Sequence, residues 1–260
     1  LTRIYGFELM MAPYAIAHLK IGIKLYETGY DFSGNVSARV YLTNSLEPAE
    51  NHSGKLAFTI PALATEANLV NAVKDTARFT VVIGNPPYAV ASSNKGPWIA
   101  ELCEPYKMNV RIQERQIQAL SDDYVKFMRL MEWHIDRTGV GVLGVITNNG
   151  YLSGHLFSDL RQSLLGTFDS IQVLNLHGSS RLQERSPGGG VDENIFDIQT
   201  GVSILCGARS HSGEDKTLTL TDSWGARAKK YSHLIVSHSS IEGSTHLDRT
   251  NEPWISTSKT

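Results

Sequence analysis

At the end of the apolar run Val81-Val82-Ile83-Gly84 stands the tetrapeptide Asn85-Pro86-Pro87-Tyr88. Its residue types offer a definite chemistry. The Asn85 carboxamide oxygen and the Pro86 backbone carbonyl are both hydrogen-bond acceptors. Pro87 restricts Pro86 to an extended geometry, which fixes where that carbonyl points. Two acceptors held this way can take both hydrogens of an exocyclic amine whose lone pair is delocalised into a ring. The nitrogen is then drawn toward tetrahedral geometry and becomes a better nucleophile. A methyl donor has only to be held in line. Orientation and electrostatics carry such a transfer, and no strong base is needed, because the proton becomes acidic once the nitrogen is alkylated. Tyr88 adds an aromatic face on which a base turned out of a duplex can stack. The same four residues also read as a stiff turn, so the elements around them matter.

Prolines cannot continue a central strand, so the motif belongs at a strand's C-terminal edge, where ligands bind in open α/β sheets. The spacing predicts strands over residues 4–9, 38–43, 79–83, 140–147, 170–176, 195–206 and 217–221, with 79–83 buried. A first helix follows Pro13, with Ile16, Leu19, Ile23 and Tyr26 on one face and Gly29 as its stop. Residues 47–78 read as a loop or insertion with one helix over 64–75, and 89–118 as irregular. A well-marked helix starts at Ser121 as N-cap, with Asp122 and Asp123 in its first turn. Tyr124, Phe127, Met128, Met131 and Ile135 line one face of it, and Gly139 ends it. Residues 157–165 read as a further helix, and 181–193 as a loop containing Gly188-Gly189-Gly190. Alternating strands and helices predict an α/β domain with a mostly parallel sheet and helices on both faces. From about Ser232 the text turns polar and reads as a linker.

The bulk composition narrows the function classes. With 41% hydrophobic and 19% charged residues in 260, the chain has ordinary globular composition, and the net charge of −2 excludes a uniformly basic nucleic-acid glove. Any DNA contact must come from a local patch. The two cysteines, Cys103 and Cys206, lie far apart in no metal-ligand spacing, which argues against a disulfide framework or zinc site and suits a reducing cytoplasm. The nine histidines show no metal spacing either; His211, His233 and His238 sit in polar sequence. The longest apolar run is far below the roughly 20 residues of a membrane span. Trp98, Trp133, Trp224 and Trp254 are not read as stacking platforms; Trp133 lies off the main apolar face of its helix and is expected to pack on a neighbour.

The tetrapeptide resembles the catalytic motif of amino-methyltransferases of the adenine-N6 type. Residues 4–10, 41–46, 84–96 and 194–202 resemble the methylase part of large single-chain restriction–modification enzymes, including the helicase-linked single-polypeptide group. The resemblance covers most of residues 1 to 207. It implies a Rossmann-like fold using S-adenosylmethionine and acting on double-stranded DNA with a flipped adenine. Under it, Glu8 bonds both ribose hydroxyls of the cofactor and Leu9 packs on its adenine ring. Asn44, where the family usually has Asp, contacts the cofactor's adenine amine, and Ser45 lines the pocket. Asn85, Pro86, Pro87 and Tyr88 form the catalytic turn, and Phe196 flanks the target base opposite Tyr88. Phe196 also reads as a core residue of an alternating strand, Asn44 as the start of a turn, and Lys95 as either a phosphate contact or a solvated lysine.

The resemblance also implies a glycine-bearing cofactor loop after the family's own first strand, and no such element precedes Ile4. The chain is therefore read as an N-terminally truncated piece, with a partial catalytic domain over 1–210 and the domain's end plus a linker over 211–260. Target-recognition, nuclease or helicase domains are expected elsewhere in the parent chain. The piece alone is expected to bind S-adenosylmethionine weakly; a sub-micromolar Kd by calorimetry would contradict that. Methylation of RNA adenine or of a protein glutamine amide, and a non-catalytic DNA-binding remnant, stay open as alternatives.

Overall fold

Runs of β-branched residues alternate with helical repeats along the chain, and the computed structural model folds them accordingly. It describes residues 3–32, 37–49, 61–88, 92–210, 216–236, 245–247 and 254. His211 and His238 lie outside the described residues. Two compact units result, residues 1–77 and 78–260.

In the first unit, β1 (Tyr5–Glu8) and β2 (Arg39–Leu42) pair in parallel, with Glu8 opposite Leu42. Helix α1 (Met11–Glu27) connects them, and α2 (Pro61–Thr76) follows β2. Gly29, at φ +76°, ends α1 where its N–H reaches the Tyr26 carbonyl. The stripe of Ile16, Leu19, Ile23 and Tyr26 is exposed, each residue at least half accessible.

The second unit holds a six-stranded sheet in the order β3-β4-β6-β5-β7-β8. The strands are β3 (Val81–Gly84), β4 (Gly141–Asn148), β5 (Ser170–His177), β6 (Val202–Arg209), β7 (Thr217–Asp222) and β8 (Thr245–His246). The sheet is mixed, not mostly parallel. β6 runs antiparallel to β4 and β5, and β8 to β7, whereas β3–β4 and β5–β7 are parallel. The cause is that residues 178–201 return the chain beside β5 without a crossover helix. β3, β4, β5 and β7 thus point the same way, and their carboxyl ends share one edge.

Between β3 and β4 lie α3 (Pro97–Leu102), α4 (Val110–Gln113) and α5 (Asp123–Thr138). α6 (Ser158–Thr167) precedes β5, and α7 (Arg227–Val236) follows β7. Side chains alternate across the sheet. Leu143, Val145, Val173 and Leu205 face α5 and α6 in the main core, with Met128, Ile135, Leu160, Leu164 and Phe168. Leu174, Leu176, Ile146 and Ile204 face the opposite way, under Leu234 of α7 and the 195–198 segment. Helices therefore cover both faces. No helix among the described residues is long and apolar enough to cross a membrane.

Several local expectations are corrected. The N-cap of α5 is Asp122, whose carboxylate accepts the Tyr124 N–H, and not Ser121, which closes a preceding 3-10 turn. β3 is not buried on both faces: Val81 is 61% and Ile83 78% exposed, since β3 is the edge strand of its sheet. Residues 89–118 contain the short helices α3 and α4, the first begun by Pro97 at N1. The strand expected over 195–206 begins only at Val202, because the Asn194 side chain accepts the Phe196 N–H and bends the chain into a turn. The polar stretch after Ser232 includes the end of α7 and all of β8, and Trp254 is buried edge-on against Tyr151.

Candidate active site

β3 stops at Gly84 because neither Pro86 nor Pro87 has an N–H to offer a ladder. Gly84 itself is closely covered: an added Cβ would meet the Met131 Cε of α5 at 2.2 Å. Pro86 is buried, Asn85 and Pro87 are exposed, and Tyr88 is half-buried with its ring against the main core. The Tyr88 hydroxyl donates to the Asn85 Oδ1 at 3.1 Å, so the tetrapeptide orients its own carboxamide. Burial pushes the Tyr88 pKa up to about 12, which keeps the hydroxyl a donor at neutral pH.

The chain beyond the turn is tied to the start of α5. Lys126 Nζ donates to Ser92 Oγ at 2.5 Å and to the Asn94 carbonyl at 2.6 Å, and Asn94 Nδ2 donates to Asp123 Oδ1 at 3.0 Å. Lys126 is only 6% exposed. Its burial lowers its pKa, and the Asp123 charge opposes that shift. Ser93, between these anchors, and Lys95, just after them, are exposed. A second buried polar centre fixes α5 to its surroundings. The Glu132 carboxylate accepts from Tyr106, Arg129, Ser163 and Thr167, all within 2.8 Å.

The other strand ends of this edge carry polar residues that sequence reasoning missed. Asn149 follows β4, Asn175 and His177 end β5, and Asp222 ends β7. Asn149 Nδ2 donates to Asn175 Oδ1 at 3.0 Å, and His177 Nε2 lies 2.7 Å from Asp222 Oδ1. Their signal in the sequence is a polar residue closing each apolar run: Val-Ile-Thr-Asn-Asn, Val-Leu-Asn-Leu-His, Leu-Thr-Asp. Phe196 stands in the 178–201 segment, which leaves β5 at this edge and enters β6 there. It is half-buried against Leu174, Leu176 and Val202. Trp224 stacks on His177, Trp133 packs edge-on against Trp98, and Arg137 covers the Trp133 ring.

The first unit brings Glu8 and Asn44 to one end of its two parallel strands. Glu8 closes β1 and Asn44 lies just past β2, where the Thr43 N–H bonds the Glu8 carbonyl at 2.8 Å. Glu8 Oε1 accepts the Met10 N–H, and Asn44 Oδ1 accepts the Leu46 N–H. Lys74 of α2 clasps the Asn44 and Glu47 carbonyls. Leu9 is 63% exposed and Ser45 half-buried. This end therefore offers a carboxylate, a carboxamide and a bare apolar side chain. Among the described residues no group of His, Cys, Asp and Glu is arranged to hold a metal.

Comparison with known proteins places these observations in a family. A model of the Eco57I restriction-modification methylase family matches residues 2–182. No curated protein matches the chain. Among solved structures, the ATP-dependent Type ISP restriction-modification enzyme LlaBIII bound to DNA is similar at a TM-score of 0.71 and 25% identity, over 88% of this chain and 16% of that one. A nuclease-deletion mutant of the Type ISP enzyme LlaGI with a DNA substrate mimic gives 0.72 at 20% identity, over 89% and 19%. The DrdV–DNA complex gives 0.71 at 20% identity, over 93% and 23%. The last two share the fold. The chain spans less than a quarter of the length of each of these three proteins.

Proposed function

The chain belongs to the Eco57I restriction-modification methylase family, and from that premise we propose that it is the catalytic part of an adenine-N6 DNA methyltransferase. The observation that carries this reading is Asn85-Pro86-Pro87-Tyr88 at the carboxyl end of β3, with the Asn85 oxygen fixed by Tyr88. The Asn85 Oδ1 and the Pro86 carbonyl take the two amine hydrogens of an adenine turned out of the duplex. A carbonyl oxygen has two lone pairs, so Asn85 can accept from the amine while still held by Tyr88. Tyr88 stacks on one face of the base, and Phe196 flanks it from the other. Phe196 lies outside the residues that the family model matches, so its role rests on the shared sheet edge and the resemblance of residues 194–202.

The donor set of the first unit fits S-adenosylmethionine. A carboxylate at a strand end suits a ribose diol, and Glu8 is so placed; the exposed Leu9 side chain suits an adenine face. Asn44 would bond the cofactor's adenine amine, beside Ser45. When bound, the cofactor supplies an electrophilic methyl group. The chain's own residues bind, orient and polarise the amine. The DNA partner and the restriction–modification setting are supported by the DNA-bound LlaBIII neighbour.

Transfer of a radiolabelled methyl group by the full-length protein tests the reading, with unmethylated plasmid DNA, RNA and total protein offered in parallel. Label in DNA is expected. Label only in RNA or protein would replace the proposed substrate, and none in any acceptor would favour a non-catalytic DNA-binding remnant.

A further inference from the structure

Along the carboxyl edge of the six-stranded sheet runs a hydrogen-bonded chain that the proposed chemistry does not use. Asn149 bonds Gly201 through its N–H and Asn175 through its Nδ2, both at 3.0 Å. Asn175 Nδ2 donates to Asp222 Oδ1 at 3.2 Å and lies 2.9 Å from His177 Nε2, which itself lies 2.7 Å from Asp222 Oδ1. His177 Nδ1 lies 3.3 Å from Glu184 Oε1, and Glu184 Oε2 accepts the Ser179 N–H at 2.7 Å. The Trp224 ring lies on the imidazole, with centroids 3.3 Å apart and planes 18° from parallel. His177 is 6% exposed and sits at φ +50°, a region that L-residues occupy reluctantly, so these contacts hold a strained corner.

That corner sets the course of the 178–201 segment. Gly178 stands at φ +84°, and a Cβ there would meet the Asn194 Cα at 2.5 Å, so the outgoing and returning arms touch. Asn194 Nδ2 bonds the Gly178 and Thr200 carbonyls at 3.0 and 2.7 Å, and Asn194 Oδ1 accepts the Phe196 N–H at 2.9 Å. The Phe196 backbone is thereby referred to His177 through two residues.

We propose that His177, as an imidazolium held between Asp222 and Glu184, is the positioning residue that fixes the Phe196 segment on the carboxyl edge, and that engagement of the target base weakens when His177 loses its proton. The proposal rests on the reading that Phe196 flanks that base. A neutral imidazole has one N–H, so one of the two carboxylates would lose its donor and face a lone pair. The charges facing the ring are Asp222 from β7 and Glu184 from the 178–201 segment. Behind Glu184 stands Lys230 of α7, itself bonded to Asp192 Oδ2 at 3.0 Å. Burial disfavours the charged ring, but the hydrogen bonds and charges of Asp222 and Glu184 outweigh it, and the His177 pKa is raised above 6.5. Burial pushes the Glu184 pKa up, yet His177, the Ser179 N–H and Lys230 bring it below its usual value. A raised folded pKa means that the stabilisation is complete below pH 6.5 and is lost as pH rises through the folded value.

Two readouts on the full-length protein test this. A protonated imidazole quenches a stacked indole, so the fluorescence difference between wild type and Trp224→Phe reports His177 ionisation independently of activity. Its midpoint is expected above 6.5, and lower in Glu184→Gln than in wild type. In parallel, KM for unmethylated plasmid DNA is expected to rise about tenfold across that midpoint, with the rise moving to lower pH in Glu184→Gln. His177→Gln is expected to show the raised KM at every pH. A wild-type KM that ignores the midpoint, or a midpoint that Glu184→Gln leaves in place, would overturn the proposal. So would a normal KM in His177→Gln alongside an impaired Phe196→Ala. A normal KM in Phe196→Ala would instead remove the reading on which the proposal rests, whatever the midpoints do.

Discussion

Among single residues, the proposed reaction divides the work between Asn85, through its oxygen, and Tyr88, through its ring and hydroxyl. Tyr88→Phe keeps the ring and removes the 3.1 Å bond to Asn85. One hydrogen bond is worth about 0.5–1.5 kcal/mol, so kcat should fall roughly 2- to 10-fold with little change in KM for DNA. Tyr88→Ala also removes the stacking face, worth about 1–3 kcal/mol per base, and KM should rise by tenfold or so. Steady-state kinetics on the full-length protein separate the two effects. The turn was legible in sequence because everything that defines it is local: an apolar run, two prolines without N–H groups, and an aromatic. Asn149, Asn175, His177 and Asp222 were not, because they meet only through the strand order β4-β6-β5-β7, which no local pattern encodes. At Phe196 the expected strand gives way to a turn, because the Asn194 side chain competes for the Phe196 N–H.

At the level of elements, α5 is the part on which the Asn85–Tyr88 turn is mounted. Its Met131 packs over Gly84, its Lys126 clasps Ser92 and the Asn94 carbonyl, and its Glu132 anchors it to α6 and Tyr106. The two buried groups should behave differently when replaced. Glu132→Leu strands Arg129, Tyr106, Ser163 and Thr167 without their common acceptor, and should cost about 3–5 kcal/mol in chemical unfolding. Lys126→Met removes the donor to Ser92 and the Asn94 carbonyl and the charge beside buried Asp123, so it should cost about 1–3 kcal/mol. With Ser92 and Asn94 released, kcat should also fall about tenfold. A variant that loses stability but keeps full rate per folded molecule would contradict the mounting role of Lys126. The positions of α1, α5, β4, β5 and β7 followed from periodicity and from stops such as Gly29 and Gly139, which are strong local signals. The mixed character of the sheet did not, because strand direction depends on how residues 178–201 return, and a run such as Val-Ser-Ile-Leu reads alike in either direction.

For the molecule as a whole, the sequence was least informative where composition stands in for structure. The polar C-terminal text hides β8, which lengthens the sheet, and Trp254, which is 4% exposed within the main core. Trp254→Ala should destabilise the fold by roughly 3–5 kcal/mol, as emptying an aromatic site does. Trp254→Phe should cost far less, since the indole N–H has no acceptor among the described residues; equal losses would contradict this packing. A net charge of −2 also bears on the whole chain: sequence-independent DNA binding should be weak, in the roughly 10⁻⁴–10⁻⁶ M range or poorer at physiological salt. The proposed methyl transfer, however, concerns one atom of one base. Its most direct test is nucleoside mass spectrometry of unmethylated plasmid DNA after incubation with S-adenosylmethionine and the full-length protein, wild type or Asn85→Ala. N6-methyldeoxyadenosine is expected to accumulate with wild type and to form at least about a hundredfold more slowly with Asn85→Ala. Methylation on cytosine, or an unchanged rate in Asn85→Ala, would contradict it.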